Sequence, residues 1–348
     1  MIDDALQDTY MRIDSAVIAA NLEALRRRTG SRIIAVLKNN GYGLSLVDYA
    51  QLLHSLGIDF FAVGSAQEAL CLRQNGIEAD VLVLTPETSC TRLAELATQQ
   101  ITLTIGSLEQ AQAVLSLAHG GEPPPVHVMI DTGMGRYGFT GRELSESIDV
   151  LKALRITGVY THFSSPYRKP GVTARQYHDF LLAIKIFRAN GVVPGMLHCC
   201  ASGAMLRHPA MHLDAVRIGS ALLGRVPRAQ AYALRDAVCL VAPVVETRRI
   251  TGRCRMGYNG GIRIKSPTKI GIVNAGVVHG YAWQKRFFGL LPAKQYAVVD
   301  DRRVPILGPL GANALALDLT DVACDGSAAV RLPVNPIYCT QNIDRRFV

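Results

Sequence analysis

Several common signatures are missing from this sequence. Its eight cysteines, Cys71, Cys90, Cys199, Cys200, Cys239, Cys254, Cys324 and Cys339, show no Cys-x-x-Cys pair and no Cys/His metal spacing. No metal site is expected, and the cysteines read as reduced, buried, small hydrophobes. No basic-then-apolar leader follows Met1, and no apolar run approaches the roughly 20 residues of a membrane span. The expectation is a cytoplasmic protein without a membrane partner. Acidic charge is short, with 28 Asp and Glu against 37 Lys and Arg, a formal net charge of +9. The surplus is nevertheless scattered. Its tightest runs are Arg26-Arg27-Arg28, Arg248-Arg249 and Arg345-Arg346. That argues against nucleic acid as a partner and suits a protein that handles small anions.

What is present is ordinary globular material, 348 residues of which 49% are hydrophobic and 19% charged. That is enough for one large domain or two moderate ones. Short apolar runs recur, mostly separated by helical patterns. They are Ile33–Leu37, Phe60–Ser65, Asp80–Thr85, Ile101–Gly106, Val126–Asp131, Ile156–Phe163, Met196–Ser202 and Ala215–Gly224. Ser65 with Glu68 and Ser107 with Gln110 have the spacing of capping boxes that open two of the helices. Eight alternating βα units in about 220 residues imply an α/β fold, a closed (β/α)8 TIM-type barrel, over residues 9–235. The one Gly-x-Gly-x-x-Gly, Gly133 to Gly138, follows the fifth strand and holds Arg136, so it reads as a loop and not a dinucleotide fingerprint. From about Ala237 the pattern becomes short β-rich runs with turn punctuation. A C-terminal all-β domain is expected over 236–348, joined by residues 1–8.

In such a barrel chemistry gathers at the C-terminal strand ends. Those ends carry Lys38, Asp131, His162, Ser202 and the run Arg217-Ile218-Gly219-Ser220. The set offers no carboxylate pair for glycoside work and no metal triad. A lysine at the mouth of an apolar strand suits imine formation, because desolvation favours its neutral amine. Small residues after the seventh and eighth strands form the usual barrel phosphate site. A lysine beside a phosphate cradle points to pyridoxal phosphate.

The motifs at these positions resemble those of the alanine racemase family of fold-type III pyridoxal phosphate enzymes. They are "KNNGYG" from Lys38, "DTGMGR" from Asp131, "THF" from Thr161, "VRIG" from Val216 and the turn Gly257-Tyr258-Asn259, in order along nearly the whole chain. The resemblance implies that Lys38 anchors the cofactor and is the base on one face of the substrate. Tyr258, reaching from the β domain of a partner subunit, would be the base on the other, which makes the active form a homodimer. His162 would bond Tyr258 and lie next to Arg217. Arg217 would face the pyridine nitrogen and, as a group that only donates, leave it unprotonated. Tyr42, Ser202, Gly219 and Ser220 would bind phosphate. Arg136 would hold the substrate carboxylate, and Asp131 would either join the site or brace the loop of Arg136.

Some positions depart from the family's pattern. Met129 stands where the family has a carbamylated lysine that orients Arg136. Ala312 replaces a pocket methionine, although its backbone N–H can still meet a carboxylate. Val277 and Ile343 stand for tyrosines of the substrate entrance, and Tyr167 for an aspartate after "THF". The machinery stays while the walls change. A wider pocket is therefore expected, open to serine or larger amino acids besides alanine. The alternatives are a fold-type III decarboxylase or aldolase, against which Arg217 speaks, and a non-catalytic protein that binds pyridoxal phosphate, against which Tyr258 and the β domain speak.

Overall fold

A computed structural model of the chain describes residues 8–118, 122–265, 267–281, 285–286, 291–292, 295–323 and 328–348. Residues 1–7 and Cys324 lie outside them. The chain divides into two units, residues 17–235 and residues 1–16 with 236–348.

In the larger unit strands and helices alternate. The strands are β2 (Arg32–Val36), β3 (Phe60–Val63), β4 (Asp80–Val83), β5 (Leu103–Ile105), β6 (Pro125–Met129), β7 (Arg155–Tyr160), β8 (Met196–His198) and β9 (Ala215–Ile218). The helices are α1 (Ser15–Arg26), α2 (Leu46–Ser55), α3 (Ala66–Gln74), α4 (Cys90–Thr98), α5 (Leu108–Ser116), α6 (Gly141–Leu151), α7 (Pro170–Ala189) and the short α8 (Ser202–Arg207). All strand pairs are parallel. They form two four-stranded sheets, β4-β3-β2-β9 and β5-β6-β7-β8. Parallel bridges Leu82↔Thr102 and Ala201↔Arg217 join the sheets edge to edge, which closes the eight-stranded barrel. Strands β3 and β9 are buried at every residue, as strands covered on both faces must be, and so read as continuous apolar runs.

Among its described residues the smaller unit is all β apart from short 3-10 turns and the start of α1. Its strands are β1 (Tyr10–Ile13), β10 (Val238–Ile250), β11 (Cys254–Met256), β12 (Ile262–Ile264), β13 (Thr268–Val273), β14 (Lys285–Arg286), β15 (Leu291–Pro292), β16 (Tyr296–Val299), β17 (Arg302–Pro309), β18 (Leu315–Asp318), β19 (Ala329–Pro333) and β20 (Arg345–Phe347). The long β10 pairs with β19 through Cys239–Pro243 and with β13 beyond a bulge at Val244/Glu246. One strand thus serves two edges, and the ring β10-β13-β18-β17-β16-β19 closes on itself.

Three expectations need correction. Residues 9–16 are expected in the barrel, yet β1 pairs with β10 and β20 inside the β unit, burying Met11 and Ile13 there. Ser65 and Ser107 each accept one backbone N–H as caps, but neither motif is a reciprocal box. Glu68 and Gln110 reach Gly64 and Gly106 instead. The reciprocal box opens α6, between Thr140 and Glu143. Of the seven described cysteines, all free, only Cys199 and Cys200 are buried, and Cys90 at the first turn of α4 is exposed. Among the described residues no helix is long and apolar enough to cross a membrane, and no group of three His, Cys, Asp or Glu could hold a metal ion.

Candidate active site

The buried strand β2 delivers the chain to Lys38, and the next four residues leave the right-handed region altogether. Asn39, Asn40, Gly41 and Tyr42 have φ of 58°, 54°, 62° and 59°, one left-handed turn. Asparagine and glycine tolerate this conformation, whereas Tyr42 pays roughly 1 kcal/mol or more for it. The surroundings hold the turn in place. Glu68 accepts the N–H of Asn40 at 2.9 Å and that of Gly64 at 2.8 Å, and the Asn40 side chain accepts from Leu46 at 2.8 Å to start α2. Gly64 leaves space for the lysine stem, since a Cβ there would stand 3.0 Å from Lys38 Cβ.

The turn throws Lys38 and Tyr42 into a cavity of about 370 Å³ at the C-terminal end of the barrel. The cavity is lined by Lys38, Tyr42, Met129, Arg136, His162, Tyr167, Ser202, Gly219, Ser220 and Arg217. Burial and, next, the charge of Arg136 lower the pKa of Lys38, with Glu68 pulling the other way. The imidazole of His162 is held down to about 3 by burial, then by Arg217, Arg136 and Lys38, so it is neutral. Burial pushes the Tyr42 phenol up to about 12.

Each further side chain has a structural reason for its place. Ser202 Oγ accepts the N–H of Gly219 at 3.2 Å and of Ala221 at 3.4 Å, tying together the turns after β8 and β9. Gly219 lets the Tyr42 phenol lie against the backbone, since a Cβ there would collide with its ring and hydroxyl. Arg217 is 3% exposed. It donates to His198 Nδ1 at 2.7 Å, the His198 carbonyl at 3.0 Å and the Thr161 carbonyl at 2.7 Å. Three of its five N–H groups are so used and two remain. Asp131 braces a loop: its carboxylate takes the N–H groups of Gly133, Met134 and Gly135 at 2.8–3.1 Å, just before Arg136, which lines the cavity. Among the described residues neither Arg136 nor Lys38 forms an ion pair with a carboxylate. Met129 is buried in the cavity wall, where no carbamate can form.

Tyr258 and Ala312 belong to the other unit. Tyr258 opens a 3-10 turn and is 80% exposed, its ring beside Gly311. Ala312 lies in the exposed turn between β17 and β18, and its carbonyl accepts from Val278.

The donor set fits pyridoxal phosphate. A weakly basic lysine can meet an aldehyde, hydroxyls of Tyr42, Ser202 and Ser220 surround a glycine cradle suited to a phosphate, and a buried arginine is available for a ring nitrogen. Sequence reasoning missed two contributors, His127 and His198, which stand behind Arg217 inside the barrel. Their signal was parity along the strands, which is visible only once the register is known.

The N-terminal domain model of alanine racemase matches residues 13–227, and the C-terminal domain model matches residues 237–334. The alanine racemase of Anoxybacillus flavithermus is 30% identical over 315 residues, covering 87% of this chain and 79% of that protein. Alanine racemase 2 of Oceanobacillus iheyensis is 29% identical over 334 residues, covering 92% and 83%. Among solved structures, the alanine racemase of Bacillus anthracis superposes with a TM-score of 0.79 at 27% identity, covering 96% of this chain and 92% of that one. The biosynthetic alanine racemase of Pseudomonas aeruginosa has the same fold, with a TM-score of 0.86 at 24% identity over 99% of this chain and 100% of that one.

Proposed function

We propose that this chain, which belongs to the alanine racemase family and is a pyridoxal phosphate-dependent amino-acid racemase, interconverts the enantiomers of alanine and also of serine or larger amino acids, with Lys38 and Tyr258 as its two bases. The observation that carries this reading is a lysine with a depressed pKa facing a cavity whose other cations, Arg136 and Arg217, have no carboxylate partner among the described residues. A base that takes an α-proton must first be free of its own, and burial beside Arg136 favours the neutral amine.

Bound pyridoxal phosphate supplies an aldehyde for the amino group and a ring that draws electron density from the α-carbon. The chain supplies the rest. Arg136 binds the substrate carboxylate, seconded by the N–H of Ala312. Lys38 Nζ takes or returns the proton on one face, and the Tyr258 hydroxyl does so on the other. His162, neutral, accepts from the Tyr258 hydroxyl. Arg217 faces the ring nitrogen with donors only and gives it no proton, which restrains transamination. Tyr42, Ser202, Gly219 and Ser220 hold the phosphate.

The exposure of Tyr258 in its own chain supports a homodimer in which each subunit lends this tyrosine to its partner's cavity. The free thiols suit the reducing cytoplasm. Wider specificity rests on the smaller side chains Ala312, in place of a methionine, and Val277 and Ile343, in place of tyrosines. The test is α-proton exchange followed by NMR in D2O with alanine, serine, lysine and glutamate. Exchange with appearance of the opposite enantiomer for alanine and at least one larger substrate is expected. Turnover of alanine alone would contradict the broader specificity, and no exchange at all would contradict the racemase reading.

A further inference from the structure

The barrel interior behind Arg217 holds a row of polar groups with a fixed direction. Arg217 Nη1 lies 2.7 Å from His198 Nδ1, and His198 Nε2 lies 2.9 Å from His127 Nδ1. An arginine can only donate, so His198 Nδ1 must be an acceptor. Burial and the charge of Arg217 keep both imidazoles neutral, His127 down to about 3. A neutral ring has one N–H. That of His198 is therefore on Nε2, where it donates to His127 Nδ1, and that of His127 is on its own Nε2. The row thus runs one way, from arginine to His198 to His127.

The backbone is shaped for this contact. His127 is on β6 and His198 on β8, two strands that are not neighbours. Between them on β7, Gly158 is the register partner of His127. A Cβ at Gly158 would lie 2.5 Å from the His127 ring, so only glycine lets the imidazole cross β7. Tyr160, two residues on, stacks on His198 at 4.9 Å and 9°, with Arg217 5.0 Å above its ring. His127 ends the row at the opposite mouth of the barrel, where it lines a second cavity of about 550 Å³.

We propose that His127 is a positioning residue for the racemisation: by accepting the buried Nε2–H that Arg217 imposes on His198, it completes the lock on that tautomer, and the locked His198 in turn holds Arg217 facing the cofactor as a donor-only group. This rests on the proposed function of Arg217. Without an acceptor at position 127 the Nδ1–H tautomer of His198 becomes accessible, an N–H then opposes an N–H of Arg217, and the guanidinium loses one of its three anchors.

The test compares His127→Leu, which removes the acceptor, with His127→Asn, whose amide oxygen can replace it. Histidine-ring 15N shifts are recorded on the wild-type apoprotein and holoenzyme. Both rings are expected to be protonated at Nε2 and bare at Nδ1, and a His198 protonated at Nδ1 would overturn the proposal. For His127→Leu the His198 ring should show mixed tautomers, and kcat should fall about tenfold, the worth of one buried hydrogen bond, with KM unchanged. His127→Asn should restore both. A folded His127→Leu with wild-type kcat, or equal kcat in the two variants, would also overturn it. The wild-type spectrum decides the tautomer even if His127→Leu fails to fold. A wild-type protein without racemase activity would count against the proposed function instead, and the ring shifts would still test the lock.

Discussion

The two ends of the barrel treat their cations differently. At the N-terminal end Arg32 bridges Asp59 at 3.1 Å and Asp80 at 2.9 Å, and Arg155 meets Glu122 at 3.2 Å. At the C-terminal end Lys38 and Arg136 have no such partner among the described residues, and Arg217 is anchored by two carbonyls and a neutral imidazole. One end has its charges neutralised locally and serves stability. The other keeps its cationic charge unpaired at the expense of burying it, which suits the anionic ligands of the proposed function.

The contrast can be broken in order of expected effect. Lys38→Ala removes the proposed base and cofactor anchor, and racemase kcat should fall by about 10³-fold or more with the fold intact by circular dichroism. Arg136→Gln removes the unpaired cation, and KM for the amino acid should rise roughly 10- to 100-fold, more than kcat falls, in steady-state assays. Arg32→Met at the other end should leave both constants unchanged while thermal unfolding reports a loss of about 1 kcal/mol, since its two ion pairs are partly exposed. The smallest effect is on the apoprotein's pH dependence. The Lys38 pKa is lowered in the folded state, so the unfolded chain binds more protons there and apoprotein stability should rise with pH toward the ordinary lysine value. Denaturant melts of apo Lys38→Met should therefore show it more stable than wild type at neutral pH, with the gap closing as the pH is raised.

Much of this end was legible in the sequence because catalytic strand ends have a local signature. Ile33–Leu37 is an apolar run that stops on a lysine, and "KNNGYG" contains residues that tolerate the left-handed turn the chain makes there. The same holds for the run after Val216, where Gly219 stands against Tyr42. What could not be read were features that depend on register between distant segments. His127 and His198 look like ordinary strand histidines until β6, β7 and β8 are aligned. Glu68 looks like half of a capping box, but its carboxylate goes to the Lys38 turn because Asn40 and Gly64 come within its reach. Tyr10–Ile13 is too short to declare its sheet, and it joins the β unit through β10 and β20, partners more than 200 residues away.

The central claim, two bases on opposite faces, is tested most directly by Tyr258→Phe in D2O with separate samples of L- and D-alanine. With Lys38 intact, one enantiomer should keep exchanging its α-proton for deuterium with retention, while the other stops and racemisation is lost. Equal exchange of both enantiomers, or inversion at the wild-type rate, would contradict the account.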